Sequence, residues 1–473
     1  MSEPKRVGRR TFLNYAIAVV ATGVIVGAAT YFAVPKGVTT VTAPGTTTTI
    51  ERTVTTTITG TPTTSPTTST KPYEGVKLNV CAQPFPFYEA MEPLLPKFKE
   101  MTGIDVSIIY YPEEDRRAKI MMDASTGTGA FQVYHTDEAI TPGLADAGLL
   151  VPLKDYYPPE YDIDDFVKAY IGVESWKGVV YGCPFRGGTD MLYYRKDLFE
   201  AEKYPVPDTM DELREAAKHF TRPPDLYGIA LRGKRGFGMN CWLWQEYAAA
   251  FGGKYFEDTT PVFNSPECVE ATKFYIELIQ KYSPPGGTTY TWSEMLDSFM
   301  AGKVAMLTCD WDFLLYVEDP KKSVVAGKVG YAPFPRGPAG RVGNCGAHGL
   351  SISAPGCRTE KERKAAALFI AWITSKEMEK YRLTTPAYLQ IARKSTIESP
   401  EFLKAVGPHP DWVKALTEML EVASPKMPRM SQWPQIGDYL GAVLEELFTG
   451  QRTDVKASLD EAVDYARKVL AGK

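Results

Sequence analysis

The sequence is poor in the residues from which enzymes and metal sites are usually built. Its 473 residues include only four histidines, and no C-x-x-C spacing occurs among its cysteines. Neither a G-x-S-x-G nucleophile motif nor an H-E-x-x-H zinc motif is found. The net charge is −4 and no long basic run follows residue 73, which disfavours nucleic-acid binding. We therefore expect no enzyme, no metal site and no cofactor.

Seven cysteines lie between residues 81 and 357. Their odd number leaves at least one thiol unpaired or paired between chains. Disulfides form outside the cytoplasm, so one or two bridges are compatible with an exported protein. We expect the cysteines to serve mainly as small buried side chains.

Twenty residues without a charge run from Tyr15 to Val34. At about 1.5 Å rise per residue, a helix of this length spans about 30 Å, the thickness of the bilayer hydrocarbon. The preceding segment, residues 1–14, contains Lys5, Arg6, Arg9 and Arg10, a basic flank that stays cytoplasmic. The pattern predicts a transmembrane anchor over residues 15–34.

The same segment can be read as an export signal. Residues 9–13, R-R-T-F-L, resemble the twin-arginine pattern, and ordinary Sec insertion is an equal alternative. Ala28-Ala29 is only a weak cleavage site, so an uncleaved anchor is the preferred interpretation, with a cleaved signal as the alternative.

Residues 35–74 are rich in threonine and contain Pro44, Pro62 and Pro66. Such a segment cannot bury enough apolar surface to offset its conformational entropy, which predicts a disordered stalk. Ser/Thr tracts with proline are typical of O-glycosylated stalks, and an unmodified linker is equally compatible. The domain at 75–473 is therefore expected on the extracytoplasmic face of the membrane.

About 400 residues remain after the stalk, too many for one compact core, so two lobes are expected. Hydrophobic periodicity predicts a β-α-β-α-β order at the start of this domain. The elements are strand 78–80, helix 89–101, strand 104–110, helix 116–124, strand 131–134 and helix 139–147. This order is typical of an α/β sheet with covering helices.

The second half of the domain is mostly helical. Thr209 and Glu212 form a capping-box pattern at the start of a helix. A strand at 191–195 and further helices are predicted at 196–203, 267–282, 292–301, 360–374, 438–449 and 455–470.

Several tryptophans fall near predicted element ends, where side chains reach binding sites. An indole can cover the C–H face of a sugar ring, while Asp, Asn, Arg and backbone groups bind its hydroxyls. Core packing is the alternative role for each of them. The tryptophans concerned are Trp176, Trp242, Trp244, Trp311 and Trp433.

An ordered set of motifs carries a family resemblance. The segments are WKGVVYGCPFRGGTDMLYYRKDLFE (176–200), VPDTMDEL (206–213), FMAGKVAMLTCDW (299–311), VGYAPFPRGPAGR (329–341), GAHGLSISA (346–354) and MSQWPQI (430–436). In this order they resemble family 1 extracellular solute-binding proteins, the carbohydrate receptors of ABC importers, of the maltose- and trehalose-binding type. The resemblance extends from about Val76 to Ala471.

The resemblance implies a two-lobed periplasmic-binding-protein type II fold with hinge-linked lobes and the ligand in a cleft. It implies lobe 1 at about 75–186 and 310–372, and lobe 2 at about 190–306 and 376–473. It also implies capture of a mono- or oligosaccharide or polyol and delivery to the permease, without turnover.

Matching this sequence to the family's motifs implies a set of ligand-binding residues. Trp311 and Trp433 occupy the places of stacking aromatics, and Asp137 that of a carboxylate that binds hydroxyls. Arg186 and Asp190 flank Gly188, where many disaccharide receptors carry an acidic residue, which puts maltose itself in doubt. The full expected set is Gln83, Phe85, Asp137, Arg186, Asp190, Asn240, Trp242, Trp311, Gly346, His348 and Trp433.

Three alternatives stay open at this point. Arg186 can form a hinge salt bridge with Asp190 instead of binding ligand. The protein can be a receptor for a peptide, iron or a polyamine, where iron favours a Tyr/His cluster and a polyamine favours cleft acids. It can also be an anchored glycan-processing enzyme, which would cleave oligosaccharides.

Overall fold

A computed structural model describes residues 71–158, 161–384 and 389–472 of the chain. Two β-sheets, each covered by helices, form two lobes, which we call lobe 1 and lobe 2. The expected α/β class and two-lobed arrangement are confirmed by this architecture. The predicted cytoplasmic segment, the anchor at 15–34 and the stalk up to residue 70 lie outside the described residues.

Sixteen strands occur in the described part of the chain. In chain order they are β1 (Lys77–Ala82), β2 (Asp105–Tyr110), β3 (Val133–Asp137), β4 (Leu150–Val151), β5 (Ser175–Trp176), β6 (Val179–Val180), β7 (Gly182–Gly188), β8 (Asp190–Arg195), β9 (Tyr227–Ala230), β10 (Phe256–Glu257), β11 (Thr260–Pro261), β12 (Val304–Asp310), β13 (Val329–Pro333), β14 (Gly343–Asn344), β15 (Gly346–Ser353) and β16 (Ala423–Ser424).

The α-helices range from one turn to sixteen residues. They are α1 (Pro86–Met91), α2 (Leu95–Thr102), α3 (Glu113–Thr126), α4 (Thr141–Asp146), α5 (Lys168–Val173), α6 (Lys196–Glu202), α7 (Met210–Phe220), α8 (Asn240–Ala250), α9 (Pro266–Lys281), α10 (Trp292–Met300), α11 (Leu314–Val317), α12 (Glu360–Ile373), α13 (Lys376–Thr384), α14 (Lys394–Ile397), α15 (Pro400–Val406), α16 (Pro410–Val422), α17 (Trp433–Phe448) and α18 (Val455–Leu470).

The lobe-1 sheet has the strand order β2-β1-β3-β15-β4, and β7 also pairs with β15. β1 runs parallel to β2 and β3, while β15 runs antiparallel to β3. The first five elements of the predicted β-α-β-α-β order are present, which confirms it. Parallel strands bring their carboxyl ends to one edge of the sheet, and ligands commonly bind there.

The lobe-2 sheet has the order β13-β8-β12-β9. β8 is antiparallel to both of its neighbours, and β9 is parallel to β12. In the register of β8 and β12, Asp190 stands opposite Asp310 at the end of the pair. Two carboxylates therefore lie together where the chain enters lobe 2.

The chain crosses between the lobes more than once. Two of these crossings, at residues 188–190 and 344–346, lie side by side, and we call them the hinge. Gly188 pairs with Gly346 across the two hinge segments. The predicted return to lobe 1 at residue 310 is too early. β13 still pairs with β8 in the lobe-2 sheet, so the return occurs at β15.

A third crossing lies later than predicted. The sequence predicts that residues 376–397 belong to lobe 2, but the backbone N–H of Phe87 donates to Gln390 at 2.9 Å. The guanidinium of Arg382 also stacks 4.6 Å from the centre of the Phe87 ring. These contacts hold α13 and the residues from Leu389 onward on lobe 1. The chain returns to lobe 2 by α16, where Asp411 accepts the N–H of Tyr331 at 3.1 Å.

Two helix boundaries differ from prediction for a reason visible in the sequence. The predicted helix 89–101 is divided into α1, a 3₁₀ turn at Glu92–Leu94 and α2. Pro93 and Pro96 lack the N–H that a continuous helix needs. The last-but-one helix begins at Trp433 instead of 438, because Pro434 is well suited to the first turn. The Thr209–Glu212 capping box and α18 are confirmed.

All seven cysteines are buried free thiols, which confirms their expected role as small buried side chains, and the one or two bridges that the sequence left open are not formed. Burial raises the pKa of the Cys183 thiol to about 11, which makes it unreactive.

Within the described residues, no helix combines the length and apolar character needed to cross a membrane. The same residues contain no group of three or more His, Cys, Asp and Glu side chains arranged to hold a metal ion.

A buried carboxyl group beneath the lobe-1 sheet predicts a pH-dependent stability. Burial raises the pKa of Glu174 to about 8, and its Oε2 accepts a hydrogen bond from Thr136 Oγ1 at 3.0 Å. The folded protein therefore keeps this proton to higher pH than the unfolded chain, so stability falls as pH rises from about 4.5 towards 8. The limiting slope for one group is about 1.4 kcal/mol per pH unit.

We expect Glu174→Gln to make the free energy of unfolding less dependent on pH between 5 and 8. Urea unfolding at several pH values measures this slope. Glu421→Gln, which removes an exposed carboxylate from α16, is the matched control and should leave the slope unchanged. An unchanged slope in Glu174→Gln would show that the carboxyl does not hold its proton.

Candidate ligand site between the lobes

A small cavity of about 30 Å³ lies between the lobes beside the hinge. A space of this size holds only a few water molecules, so the lobes or side chains must separate to admit a larger ligand. Both lobes contribute to its wall. The lining residues are Phe85, Glu113, Arg117, Glu138, Arg186, Gly188, Arg232, Gly238, Trp242, Trp292, Asp310, Phe313, Gly346 and His348.

Most of the lobe-1 lining residues lie near the ends of neighbouring strands, and the others, Glu113 and Arg117, belong to α3. Phe85 follows β1 and Glu138 follows β3, at the carboxyl edge of the parallel strands. Arg186 lies two residues before the end of β7, while Gly346 and His348 lie at the start of the antiparallel β15. The strand order therefore explains why residues more than 250 positions apart share one wall.

Three aromatic rings stack across the lobe boundary. The Trp292 ring lies between Phe85 and Phe313, with centroid distances of 5.7 Å and 5.6 Å and interplanar angles of 20° and 22°. Phe85 belongs to lobe 1, whereas Trp292 and Phe313 come from lobe 2. The stack thus joins the two lobes at the cavity.

Arg186 makes a second connection across the boundary. Its Nη2 donates to Asp312 Oδ1 at 2.9 Å and lies 3.3 Å from Asp310 Oδ1. Burial alone would lower the pKa of Arg186, but Asp312 and Asp310 outweigh burial and raise it. Burial raises the pKa of Asp312 to about 7 although Arg186 acts in the opposite direction. The salt bridge with Asp190, which the sequence left open as an alternative role for Arg186, is not formed.

The remaining two arginines of the wall also have carboxylate partners. Arg232 Nη2 lies 3.1 Å from Asp310 Oδ2. Arg117 contacts Glu113 at 2.7 Å and Asp137 at 2.9 Å. Every arginine of the cavity wall is therefore neutralised within the protein, which removes the attraction that a charged ligand would otherwise feel.

The carboxyl group of Glu138 lines the cavity, and its pKa is raised. Burial, followed by the negative charge of Asp137, raises the pKa of Glu138 to about 8. Its Oε2 accepts the backbone N–H of Ala347 at 3.3 Å. A protonated carboxyl can both donate and accept, so at neutral pH Glu138 suits a hydroxyl group better than a cation.

Five of the expected ligand-binding residues line the cavity: Phe85, Arg186, Trp242, Gly346 and His348. Trp242 packs against Gly346, where an added Cβ would lie 2.1 Å from the indole. A glycine is required at this close approach. His348 Nδ1 is 2.9 Å from His135 Nε2, which fixes its ring beside Phe85.

Three polar residues of the expected set lie behind the wall. Asp137 is fully buried and holds Arg116 and Arg117 through distances of 2.5 and 2.9 Å. These two arginines, outweighing the effect of burial, keep the pKa of Asp137 well below its usual range. Asn240 donates to Gly441 O at 2.8 Å at the start of α8, and Gln83 is almost completely buried after β1.

Asp190 also lies outside the lining, at the start of β8 beside Asp310 and Glu246. Burial and the charge of Asp310 raise the pKa of Asp190 to about 6. Asp190, Asp310 and Glu246 thus form a cluster of buried carboxyl groups next to the hinge.

The two tryptophans expected to stack on a ligand are packed within the protein. Trp311 Nε1 donates to Gly187 O at 2.9 Å, and its ring lies 5.7 Å from that of Trp412. Trp433 has no exposed surface and its ring lies 4.6 Å from Tyr255. Their role in ligand stacking stays a prediction, and the aromatic rings that line the cavity in this arrangement of the lobes are Phe85, Trp242, Trp292 and Phe313.

Sequence reasoning missed most of the lobe-2 wall. Trp292 was placed correctly at the start of a helix, and a large aromatic at that position was the one available signal of its role. Arg232 of lobe 2, like Arg117 of lobe 1, lies in a segment without a recognisable motif, and Glu138 of lobe 1 directly follows the expected Asp137. Trp176 and Trp244 donate to Asp146 and Thr272 away from the cavity.

Comparison with known proteins gives a consistent set of relatives. The family model described as bacterial extracellular solute-binding protein matches residues 86–380. The chain is 28% identical over 403 residues to a mannitol-binding protein of Pseudomonas aeruginosa, covering 80% of this chain and 88% of the relative. It is 25% identical over 348 residues to an erythritol/L-threitol-binding protein of Mycolicibacterium smegmatis, covering 69% and 72%.

Solved structures show the same similarity in three dimensions. An ABC transporter solute-binding protein of Agrobacterium radiobacter in complex with ribitol has a TM-score of 0.76 and 29% identity, covering 84% of this chain and 100% of the other. A solute-binding protein of Agrobacterium vitis with bound D-mannitol has a TM-score of 0.75 and 27% identity, covering 84% and 98%.

Proposed function

Because the chain belongs to the family of bacterial extracellular solute-binding proteins, we propose that it captures a polyol or small sugar between its lobes and delivers it to an ABC importer. The observation that carries the choice of ligand is the cavity wall. Its three arginines are each paired with a carboxylate, and stacked aromatic rings stand beside them. An uncharged ligand with many hydroxyl groups is compatible with such a wall.

Hydroxyl groups match the polar part of this wall. Each hydroxyl can donate to Asp310 or Glu113 and accept from an arginine N–H, so that no buried polar group is left unpaired. The C–H groups of the ligand can pack on Phe85, Trp242 or Trp292. The ligands named for the relatives, mannitol and ribitol, are of this chemical class.

Capture would proceed by closure of the lobes. A ligand that contacts both lobes favours the closed state, and the hinge segments absorb the change in backbone conformation. The Phe85–Trp292 stack and the Arg186–Asp312 pair join opposite lobes, so both would separate on opening. The closed form would then dock on the permease. This cycle requires binding and release only, without a chemical step.

We expect D-mannitol, ribitol or another polyol to raise the melting temperature of the purified protein. At a ligand concentration one hundred times Kd, binding adds about 2.7 kcal/mol to the free energy of unfolding. A thermal-shift panel of polyols, monosaccharides and maltose measures this, with spermidine and a tripeptide as non-sugar controls. Stabilisation by a control alone, or cleavage of an oligosaccharide during incubation, would contradict the proposal.

We further propose that residues 15–34 anchor the receptor in the membrane and that residues 35–74 act as its stalk. The support is the uncharged run behind a basic flank and the threonine- and proline-rich composition. As a flexible coil, the 33 residues from Val38 to Thr70 would span about 30 Å, which would keep the receptor close to its importer.

The native protein should therefore sediment with membranes and retain its first 35 residues. Membrane fractionation followed by mass spectrometry of the N-terminus measures both properties. A soluble mature form that begins between Ala28 and Thr40 would contradict the anchor and identify the apolar run as a cleaved signal.

A further inference from the structure

A second and larger pocket, of about 470 Å³, lies within lobe 2. Pockets that bind small molecules commonly have volumes of 300–1,000 Å³. Its wall is formed by α8, the loop at 252–258 and the segment at 425–430. We call it the lobe-2 pocket. It shares no lining residue with the cavity between the lobes.

One buried polar side chain in this wall has no partner. Gln245 lines the pocket and is only 3% exposed, yet neither its amide nitrogen nor its amide oxygen has a hydrogen-bond partner among the described residues. Leaving such a group unpaired costs about 1–3 kcal/mol. A buried amide with both atoms free, at the surface of a pocket, indicates a place for a ligand that can donate and accept.

One cation of the wall has no carboxylate partner. Lys426 Nζ contacts Ser424 Oγ at 2.8 Å, and within the described part of the chain its side chain forms no ion pair. Arg429 is already engaged, because it donates to the lobe-1 carbonyls of Gly172 at 2.7 Å and Val173 at 2.9 Å. Burial lowers the pKa of Arg429, and the charges of Glu174 and Glu138 act in the opposite direction. Lys426 is therefore the positive charge that this wall can offer to a ligand.

The rest of the wall provides apolar and aromatic surface. Trp244, Tyr255 and Phe256 line the pocket together with alanine and proline residues. Trp244 and Tyr255 are held by packing against each other, with ring centroids 5.5 Å apart. These rings can cover the C–H groups of a small molecule while Lys426 holds its charged end.

We propose that the lobe-2 pocket is a second binding site, which takes a small organic carboxylate with a hydroxylated body. The carboxylate would pair with Lys426, and a hydroxyl would use both atoms of the Gln245 amide. The site is separate from the proposed polyol site and differs from it in the charge of the ligand.

The test uses two probes that differ in one group. D-Gluconate and D-glucitol have the same six-carbon chain, but only gluconate carries a carboxylate. Calorimetric titration of the full-length protein should show gluconate binding that weakens with salt and is not displaced by excess glucitol. Salt sensitivity is expected because the contacts are ionic and partly exposed.

Variants locate the binding. Lys426→Gln should weaken gluconate binding at least tenfold and Gln245→Leu at least fivefold, whereas Lys414→Gln, an exposed lysine of α16, should leave it unchanged. Thermal unfolding of each variant verifies that it is folded. No gluconate binding at millimolar concentration, or binding that neither pocket variant weakens, would overturn the proposal. Binding of inorganic phosphate without gluconate would overturn the carboxylate assignment.

These outcomes are independent of the polyol site. A protein that binds mannitol but not gluconate would retain the proposed function and lose only the second site. If gluconate binds through Lys426 but no polyol stabilises the protein, the second site would be retained and the proposed polyol function would be lost.

Discussion

Replacement of Arg186 by glutamine is expected to weaken polyol binding by about a hundredfold or more and to lower the free energy of unfolding. Arg186 is almost completely buried and pairs with Asp312 and Asp310 on the other lobe. Removing one partner of a buried ion pair costs about 3–5 kcal/mol, because the other charge is left uncompensated. In this protein the loss falls on the closed arrangement, which is the one that holds the ligand.

The effect on affinity can be separated from the effect on stability. Calorimetry measures the dissociation constant, and urea unfolding measures the free energy of unfolding. The double variant Arg186→Gln with Asp312→Asn also removes the carboxylate that Arg186→Gln leaves unpaired, so it should regain stability while binding stays weak. Arg186→Lys keeps the positive charge but loses the planar guanidinium that can form two parallel hydrogen bonds, so its affinity should lie between those of the wild type and Arg186→Gln. Affinity within threefold of the wild type in Arg186→Gln would contradict this role.

Truncation of Trp433 to alanine should reduce stability by about 3–5 kcal/mol while ligand affinity changes little. Trp433 has no exposed surface and packs on Tyr255 and Gly437 inside lobe 2, so its removal creates a large cavity in the core. Trp292→Ala should show the opposite pattern. The Trp292 ring stacks on Phe85 of the other lobe. Its removal should weaken ligand binding by about 2 kcal/mol, which is about a thirtyfold higher dissociation constant.

The pair of variants forms its own control, since each removes an indole of the same size. Melting temperature and dissociation constant are measured for both, and small-angle scattering of Trp292→Ala should show a larger share of open molecules. If Trp433→Ala abolished binding in a fully stable protein, the stacking role first expected for Trp433 would be restored. If Trp292→Ala bound ligand normally, the aromatic stack would have no part in closure.

Local structure was predictable where the sequence itself contains the cause. The capping box at Thr209 and Glu212 and the amphipathic pattern of α18 are both confirmed, because each depends on residues within one helix. The same kind of local information corrects the helix at 89–101, since Pro93 and Pro96 lack the N–H that a continuous helix needs.

The site was predictable only in part, because its contacts join distant segments. Phe85 and His348 were found through motifs that resemble a family, but nothing near Trp292 in the sequence reveals that Phe85 and Phe313 stack on it. The partner of Arg186 depends on the register of β8 and β12. That register places Asp310 at the hinge, two residues before Asp312, and Arg186 pairs with these two carboxylates instead of Asp190. Such choices are made by tertiary packing.

The order in which the sheet strands occur along the chain has a consequence for biosynthesis. β15 is an inner strand of the lobe-1 sheet, yet it begins only at Gly346, after nearly all of the lobe-2 sheet has been made. A nascent chain that ends before this point leaves the side of β3 unpaired, so the first lobe cannot be completed while it emerges from the ribosome. We expect the amino-terminal half to stay extended until late in synthesis. Late folding is compatible with Sec export, in which an unfolded chain passes through the translocon. Twin-arginine export carries folded proteins, so it could begin only after the last segments of the domain had been made.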